Sequence, residues 1–304
     1  MVNLICAAEL KLAYPRNILK ERNKPMRKIS SELIKNKTAE IAIKANTKLR
    51  SDVLLLLKKS LAEEQSPLAR KALTAIVDNA RIALKQKLAI CQDTGLPVVF
   101  VEIGNNVYVQ DNINQLISQG IALGYKQGGL RASIQKDPIS RESKLAYAPS
   151  ITHTDVVKGD KIKITVLPKG FGSENKAQVK MLNPTASIDV IEEFIVQAVK
   201  TAGAGACPPY IIGVGIGGTQ DYAGLLAKKA LLKPITVKNK QKQLADLEQR
   251  LLAKINKLNI GAFGFGGKTT ALKVNVLTYP THIAGLPVAV NISCHALRSA
   301  SIII

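Results

Sequence analysis

The chain has 304 residues, of which 46% are hydrophobic and 21% are charged, and its formal net charge is +21. This length and composition are typical of a globular protein with one large domain or two packed lobes, and they exclude a small disulfide-rich scaffold. The apolar runs are shorter than the roughly 20 residues that span a bilayer, so no membrane segment is predicted. Four cysteines without a closely spaced framework predict free or ligand-bound thiols in a reducing compartment, which favours the cytoplasm.

The excess of lysine and arginine admits two interpretations. Basic proteins can bind nucleic acid by releasing counterions, and such proteins usually carry a clustered basic patch with stacking aromatic residues. Here the lysines are spread along the predicted helices, aromatic residues make up 4% of the chain, and tryptophan is absent. The pattern therefore favours solvated helix faces that attract anionic substrates or an acidic partner, and a nucleic-acid-binding module stays as an alternative.

The N-terminal stretch is predicted to lie outside the fold. Residues 1–25 contain no uninterrupted apolar core before a cleavage site, because Glu9 and Lys11 break it, so a secretory signal is not expected. We interpret residues 1–25 as an extension and residues 26–304 as one domain, for which Met26 is a plausible start.

The remaining chain begins with helices and then alternates strands with helices. Apolar residues at helical spacing between Ser31 and Lys87 predict three helices, one of which starts at Ser66-Pro67. β-Branched runs predict strands at Val98–Ile103, Val107–Val109 as its neighbour across a turn, Lys161–Leu167, Tyr210–Val214, Ala271–Val276 and Val288–Ile292, the last two closing the chain. Further helices are predicted from Asn112 to about Tyr125, from Ser187 onward, and over residues 219–232 and 238–257. The fold class is therefore α/β, an N-terminal helical segment followed by a mixed sheet flanked by helices.

Three glycine-rich turns, at residues 169–175, 213–218 and 261–267, are expected to bring the backbone close to a neighbour or a ligand. The second turn has the spacing Gly213-x-Gly215-x-x-Gly218 and follows a predicted strand, as in dinucleotide-binding folds. No acidic residue ends a second strand about 20 residues later, as that fingerprint requires. A dinucleotide-binding enzyme therefore stays only as an alternative.

Three of the four cysteines occupy the same kind of position. Cys91, Cys207 and Cys294 each lie where an apolar run meets a polar or glycine-rich turn, so ligand loops at strand ends are expected. A single cysteine in such a place is usually a small buried hydrophobic residue. Their separations fit no compact zinc or ferredoxin motif, so a shared site must be assembled by the fold. Three thiolates would leave one iron of a four-iron cluster without a protein ligand, and such an iron can act as a Lewis acid.

Five motifs, in order, resemble those of the class I (iron–sulfur) fumarate hydratase family, which includes the alpha subunit of L(+)-tartrate dehydratase. They are CQDTG at 91–95, KGFGSEN at 169–175, CPPYIIGVGIGGT at 207–219, GFGGKTTAL at 264–272 and THIAGLPVAVNISCHALR at 281–298. The resemblance implies that Cys91, Cys207 and Cys294 bind a 4Fe-4S cluster whose fourth iron binds substrate. It also implies a hydro-lyase that hydrates fumarate to (S)-malate, with L(+)-tartrate dehydratase as the alternative.

The resemblance also assigns roles to four other side chains. It implies that Gln92 hydrogen-bonds a substrate carboxylate and that Asp93 supports proton transfer. Arg131 is expected to clamp a carboxylate in bidentate fashion, and His282 to contact substrate and move a proton. The other two histidines, His153 and His295, receive no role.

The chain departs from the family pattern in two loops and in length. It reads RESKLAYAPS at 141–150 where the family often has Gly-Asp-Asn-Thr-Pro, and Ala262-Phe263 where the family often has Pro-Gln. Single-chain members continue into a second domain that completes the active site, whereas this sequence ends at Ile304. The resemblance therefore implies an alpha subunit that works with a beta subunit, as an α2β2 heterotetramer, on a small dicarboxylate.

Overall fold

A computed structural model describes residues 25–304, so the extension predicted for residues 1–25 lies almost entirely outside the described residues. The three predicted N-terminal helices are confirmed as α1 (Ser31–Thr47), α2 (Ser51–Glu63) and α3 (Pro67–Gln86). Ser30 caps α1, because its side chain accepts a hydrogen bond from the Leu33 backbone N–H at 3.3 Å. Proline opens α3, and α3 ends at Lys87, whose φ of 55° is left-handed.

Beyond α3 the chain is mixed α/β, as predicted. The strands, with a two-residue strand at the start, are β1 (Arg27–Lys28), β2 (Leu96–Gly104), β3 (Val107–Tyr108), β4 (Ile151–Val157), β5 (Ile162–Lys169), β6 (Gln178–Leu182), β7 (Tyr210–Gly218), β8 (Ala271–Thr281), β9 (Leu286–Ser293) and β10 (Ala300–Ile303). The later helices are α4 (Ile113–Gln127), α5 (Phe171–Glu174), α6 (Ile188–Ala202), α7 (Gln220–Ala230) and α8 (Lys242–Asn256). Among residues 25–304, none of the helices has the length and apolar character needed to cross a membrane.

The longer strands form two four-stranded mixed sheets. The first sheet has the order β10-β5-β2-β4, in which β2 is antiparallel to β5 and parallel to β4. The second sheet has the order β6-β9-β7-β8, in which β7 is parallel to β8 and antiparallel to β9. Because β9 runs against β7, the end of β9 lies beside the start of β7.

Apolar side chains form three main cores around these sheets. One core packs α1 and α4 on the first sheet, and another packs α6 and α8 on the second sheet. The third core lies between the sheets, where Val98 and Leu167 of the first sheet meet Ile211 and Leu272 of the second, together with α2 and α3. The two sheets are therefore docked through a shared apolar layer.

Strand pairing differs from the sequence prediction in the region of Val107. That segment does not pair with β2 but forms a parallel pair with β1. The edges of β2 are already occupied by β4 and β5, so a further strand cannot join it. The backbone N–H of Asn106, in the turn after β2, instead bonds to the Gly159 carbonyl at 2.9 Å.

Four strands were not predicted from the sequence, namely the two-residue β1 and the longer β4, β6 and β10. Strands β4 and β6 are edge strands with mostly exposed side chains, so they lack the apolar run that marks a buried strand. Strand β10 follows β9 and pairs with β5, so the prediction that the chain closes on two strands was wrong.

The glycines at 213 and 215 serve close packing. Both lie inside β7, and a Cβ atom would meet the Ala227 carbonyl oxygen at 2.0 Å from Gly213 and the Ala223 carbonyl oxygen at 2.1 Å from Gly215. Helix α7 therefore lies directly on the β7 backbone. In a dinucleotide fingerprint the first glycines form a turn at the phosphate, whereas here they lie within the strand, which disfavours that alternative.

We expect Gly213→Ala to destabilise the fold by about 3 kcal/mol or more, because the new methyl group overlaps the α7 backbone. The matched control is Gly224→Ala, because Gly224 lies in α7 itself with open space around it. Alanine there should stabilise the helix by up to about 1 kcal/mol. Urea unfolding of both variants measures the difference, and equal midpoints would contradict the packing role.

Candidate active site

The first cysteine loop, residues 91–95, joins α3 to β2 and is held by hydrogen bonds on several sides. The buried Thr94 hydroxyl donates to the Arg131 carbonyl at 2.8 Å, and the Tyr125 hydroxyl donates to the Thr94 carbonyl at 2.7 Å. Gly95 has a φ of 74° and packs so closely that a Cβ would lie 2.7 Å from the Lys169 backbone. Cys91 is thus held near the end of β5 and near the segment that carries Arg131.

Asp93 joins this loop to the KGFGSEN segment. Its carboxylate oxygens accept hydrogen bonds from the backbone N–H groups of Gly95, at 2.9 Å, and Phe171, at 2.7 Å. Its backbone carbonyl accepts a bond from the Arg298 guanidinium at 2.7 Å. These contacts are those of a side chain that positions the loop, and the predicted part of Asp93 in proton transfer stays a prediction.

The other two cysteines come together through the second sheet. Cys207 lies three residues before β7, and Cys294 directly follows β9. The antiparallel register, in which Ile211 pairs with Ser293, makes these positions neighbours. The contact continues at His295, whose backbone N–H donates to the Cys207 carbonyl at 3.2 Å and whose Nδ1 lies 3.0 Å from the same oxygen.

The three thiols lie near enough to influence each other's charge. Burial raises the pKa of Cys207, and negative charge on Cys294 and Cys91 raises that pKa further. Burial also raises the pKa of Cys294, whereas Arg298 and Lys169 act to lower it. Cys207 is exposed to solvent, and the other two are half-buried, so the thiols line a place that solvent reaches.

The thiol spacing bears on the kind of group that could bind here. In residues 25–304, no three His, Cys, Asp or Glu side chains come close enough together to hold one metal ion. A single zinc ion needs its sulfur ligands about 2.3 Å from one point, whereas a multi-iron cluster takes its cysteines on different irons, which lie apart. Three thiols on three separate loops can each take a different iron, so this set of sulfur donors is compatible with such a cluster.

Two buried cations lie behind the cysteines, and neither was singled out from the sequence. The side chain of Lys169 is 2% exposed, donates to the Ser173 hydroxyl at 2.7 Å and pairs with Glu174 at 3.3 Å. Desolvation lowers the pKa of Lys169 to about 8, although Glu174 opposes the shift. Glu174 also pairs with Lys228 at 2.5 Å, so this group carries more positive than negative charge.

The second buried cation is Arg298, which is also 2% exposed. It lies four residues after Cys294 and reaches the backbone of the first cysteine loop at Asp93. The sequence signals that could have indicated these two residues are a lysine that ends an apolar strand and an arginine that follows Cys294 by four residues.

The predicted substrate-binding residues Gln92 and Arg131 are both exposed. Gln92 is next to Cys91 in the chain, and Arg131 is tied to the same loop through Thr94. Gln92 thus adjoins Cys91, the Arg131 backbone contacts the same loop at Thr94, and both side chains are exposed.

His282 lies far from the three cysteines. It lies in the connection from β8 to β9, whereas Cys207 and Cys294 lie at the opposite end of the same sheet. The rise of a strand residue puts the two ends of β8 roughly 30 Å apart. A single copy of the chain therefore does not bring His282 to the cysteines.

The two histidines without a predicted role have different surroundings. The His153 ring stacks on Phe100 with 5.3 Å between ring centroids, away from the cysteines on edge strand β4. The His295 ring lies edge-on to Phe263 at 5.2 Å, and burial lowers its pKa to about 4. Phe263 is one of the two residues that depart from the family pattern, so this departure lies next to the site.

Comparison with known proteins gives a consistent assignment. The family model described as fumarate hydratase (Fumerase) matches residues 35–303. The chain is 38% identical over 274 residues to a putative L(+)-tartrate dehydratase subunit alpha of Methanocaldococcus jannaschii, which covers 88% of this chain and 96% of that protein. It is 27% identical over 277 residues to the L(+)-tartrate dehydratase subunit alpha of Escherichia coli O157:H7, with 90% of each chain covered.

These matches extend over nearly all of the described residues and contain every motif on which the sequence resemblance was based. A family match over 269 residues is far more than half of a 304-residue chain. The resemblance is thereby confirmed, and the chain belongs to the fumarate hydratase (Fumerase) family.

Proposed function

We propose that this chain is the alpha subunit of an iron–sulfur hydro-lyase that reversibly hydrates fumarate to (S)-malate. The observation that supports the proposal is that the loops of Cys91, Cys207 and Cys294 are joined to one another, by the contact of His295 with the Cys207 carbonyl and by the bond of Arg298 to the Asp93 carbonyl. The side chains of Gln92 and Arg131 are exposed beside the first of these loops. When bound by the three thiols, a 4Fe-4S cluster would supply a Lewis acid that helps a hydroxide to leave. Free thiols favour a reducing compartment, so we place the protein in the cytoplasm.

The exposed polar side chains are proposed to bind the substrate. Arg131 would take one carboxylate of the dicarboxylate in two parallel charge-assisted hydrogen bonds. Gln92 would donate its amide N–H to a carboxylate oxygen from the first cysteine loop. Asp93 would hold that loop in place through the two backbone N–H groups that its carboxylate accepts.

A beta subunit is proposed to complete the site, in an α2β2 assembly. The named relatives are alpha subunits, and a dicarboxylate has two carboxylates to bind, for which exposed Arg131 is one candidate clamp. The role predicted for His282 requires that another copy of the chain bring it there, because it lies at the far end of the second sheet.

The second candidate is the alpha subunit of an L(+)-tartrate dehydratase. It is favoured by the names of the relatives, one of which is 38% identical to this chain. Both candidates need the same chemistry, namely loss of a hydroxyl group from a small dicarboxylate.

Steady-state kinetics on the complex purified without oxygen separate these candidates. We expect the kcat/KM for fumarate and (S)-malate to exceed that for L-tartrate by more than about tenfold, which corresponds to about 1.4 kcal/mol of transition-state binding. The reverse order would assign the chain to tartrate dehydration. If none of the three compounds turns over in a complex that contains its cluster, the hydro-lyase assignment to these dicarboxylates fails.

A further inference from the structure

Arg298 connects the loops that carry the cysteines. It lies in the segment after Cys294, and its Nη2 donates to the Asp93 carbonyl in the first cysteine loop at 2.7 Å. The same nitrogen lies 3.7 Å from the position that a Cβ on Gly170 would take, so the guanidinium also packs against the KGFGSEN segment. Its Nη1 lies 3.4 Å from the Asn46 side-chain oxygen of α1. Arg298 therefore contacts elements from distant parts of the chain.

This guanidinium is buried and forms no ion pair with a carboxylate of the described residues. Arg298 is 2% exposed, and its Nε–H has no hydrogen-bond partner within the described part of the chain. None of the ion pairs between residues 25 and 304 includes it, and its two hydrogen bonds end on neutral oxygens. Arginine stays charged in proteins, so a buried guanidinium without an anion is costly to the fold.

The neighbouring groups that can carry negative charge are the Asp93 carboxylate, whose Oδ2 would lie 3.2 Å from the same Cβ position on Gly170, and the cysteines. Cys294 is four residues away from Arg298 in the chain, and the Asp93 carbonyl that Arg298 binds lies two residues after Cys91. A cluster held by three thiolates carries a net negative charge, and nearby charge is one of the factors that set the potential of such clusters.

We propose that Arg298 is the counter-charge of the cysteine site and stabilises the thiolate-bound cluster electrostatically, in addition to holding the first cysteine loop. The proposal rests on the proposed function, because it requires that the three thiols bind a cluster. It makes Arg298 a positioning residue, since the side chain acts through the cysteine loops and not on the substrate.

This role predicts opposite effects in the two forms of the protein. In the apo-protein, removal of the unpaired buried charge relieves a cost, so the unfolding midpoint should stay the same or rise. In the cluster-bound protein, the same change removes a stabilising charge, so the cluster should be lost faster. A hydrogen-bonding role alone predicts that both forms lose stability together.

The test compares full-length Arg298→Gln and Arg298→Lys with the wild type, each co-expressed with its partner and reconstituted anaerobically with iron and sulfide. The matched control is Arg27→Gln, because exposed Arg27 also donates to a backbone carbonyl, at 3.1 Å, but at the opposite end of β2. The readouts are the rate of iron loss to a chelator, the cluster reduction potential, and the urea midpoint of the apo-protein.

For Arg298→Gln we expect iron loss about tenfold faster and a reduction equilibrium about tenfold less favourable, which equals about 59 mV for a one-electron couple. Arg298→Lys keeps the charge and should restore most of the potential, and Arg27→Gln should match the wild type. An unchanged potential in Arg298→Gln, or a lysine variant that behaves like the glutamine variant, would overturn the counter-charge role. A wild-type protein that takes up no iron would overturn the proposed function itself, and this inference with it.

Discussion

Replacement of Cys91, Cys207 or Cys294 by serine is expected to abolish cluster binding. Each thiol comes from a different loop, and serine cannot supply a soft thiolate ligand, so one substitution should leave too few ligands to retain the cluster. After anaerobic reconstitution we expect bound iron and the visible absorbance to fall to background in each variant. Iron and sulfide analysis per chain measures the effect.

The matched control for these variants is Cys6→Ser. Cys6 is the remaining cysteine of the chain and lies in the predicted N-terminal extension, outside the described residues. Its replacement should leave iron content unchanged. A wild-type chain that stays colourless and iron-free after reconstitution would refute the cluster assignment, and so would full iron content in any of the three site variants.

The second large effect is expected on hydratase activity when a beta subunit is added. The chain alone should show little or no hydratase activity and should gain it when co-expressed with a beta subunit. Negative charge develops on the dicarboxylate in the transition state. Its stabilisation requires preorganised groups around a closed site that excludes water. On this chain the cysteine side is open, since Cys207, Gln92 and Arg131 are all exposed. Turnover of the isolated chain, compared with the purified complex, measures the effect.

Within the complex, Arg131→Ala should remove most turnover while the cluster remains, because a carboxylate loses its bidentate partner. The control is Arg141→Ala, an exposed arginine ten positions further along the same loop region. We expect that variant to keep near-normal kcat/KM. Full activity of the isolated chain over a range of concentrations would show that no partner is needed.

The sequence predicted that Cys207 and Cys294 flank strands, because strand patterns are local, whereas the apolar run before Cys91 forms no strand. Cys207 precedes a buried β-branched run and Cys294 follows another, and each run forms the strand that its pattern predicts. What the pattern did not contain was the antiparallel register of β7 and β9, on which the proximity of the two thiols depends. The family resemblance supplied that grouping.

The sequence analysis did not predict the full length of β8 or the burial of Lys169 and Arg298, because both depend on long-range contacts. Strand β8 was predicted to end at Val276 but continues to Thr281, which carries His282 to the far end of the sheet. Those last residues are exposed and contain a proline, so they lack a strand pattern of their own. The buried charges of Lys169 and Arg298 were missed for a related reason, since lysine and arginine are normally expected at the surface.

The cysteine site draws on both sheets. Cys91 leads into β2 of the first sheet, whereas Cys207 and Cys294 belong to β7 and β9 of the second. A ligand held by all three would act as a crosslink between two layers that share an apolar core and a few polar contacts, such as the Lys229–Asp155 ion pair. By mass action, such a ligand stabilises the docked arrangement and has no effect on a separated one. Backbone amides in the layer between the sheets should then exchange with solvent more slowly once the ligand is bound. Hydrogen exchange would therefore report ligand binding as slower local opening of the layer between the sheets.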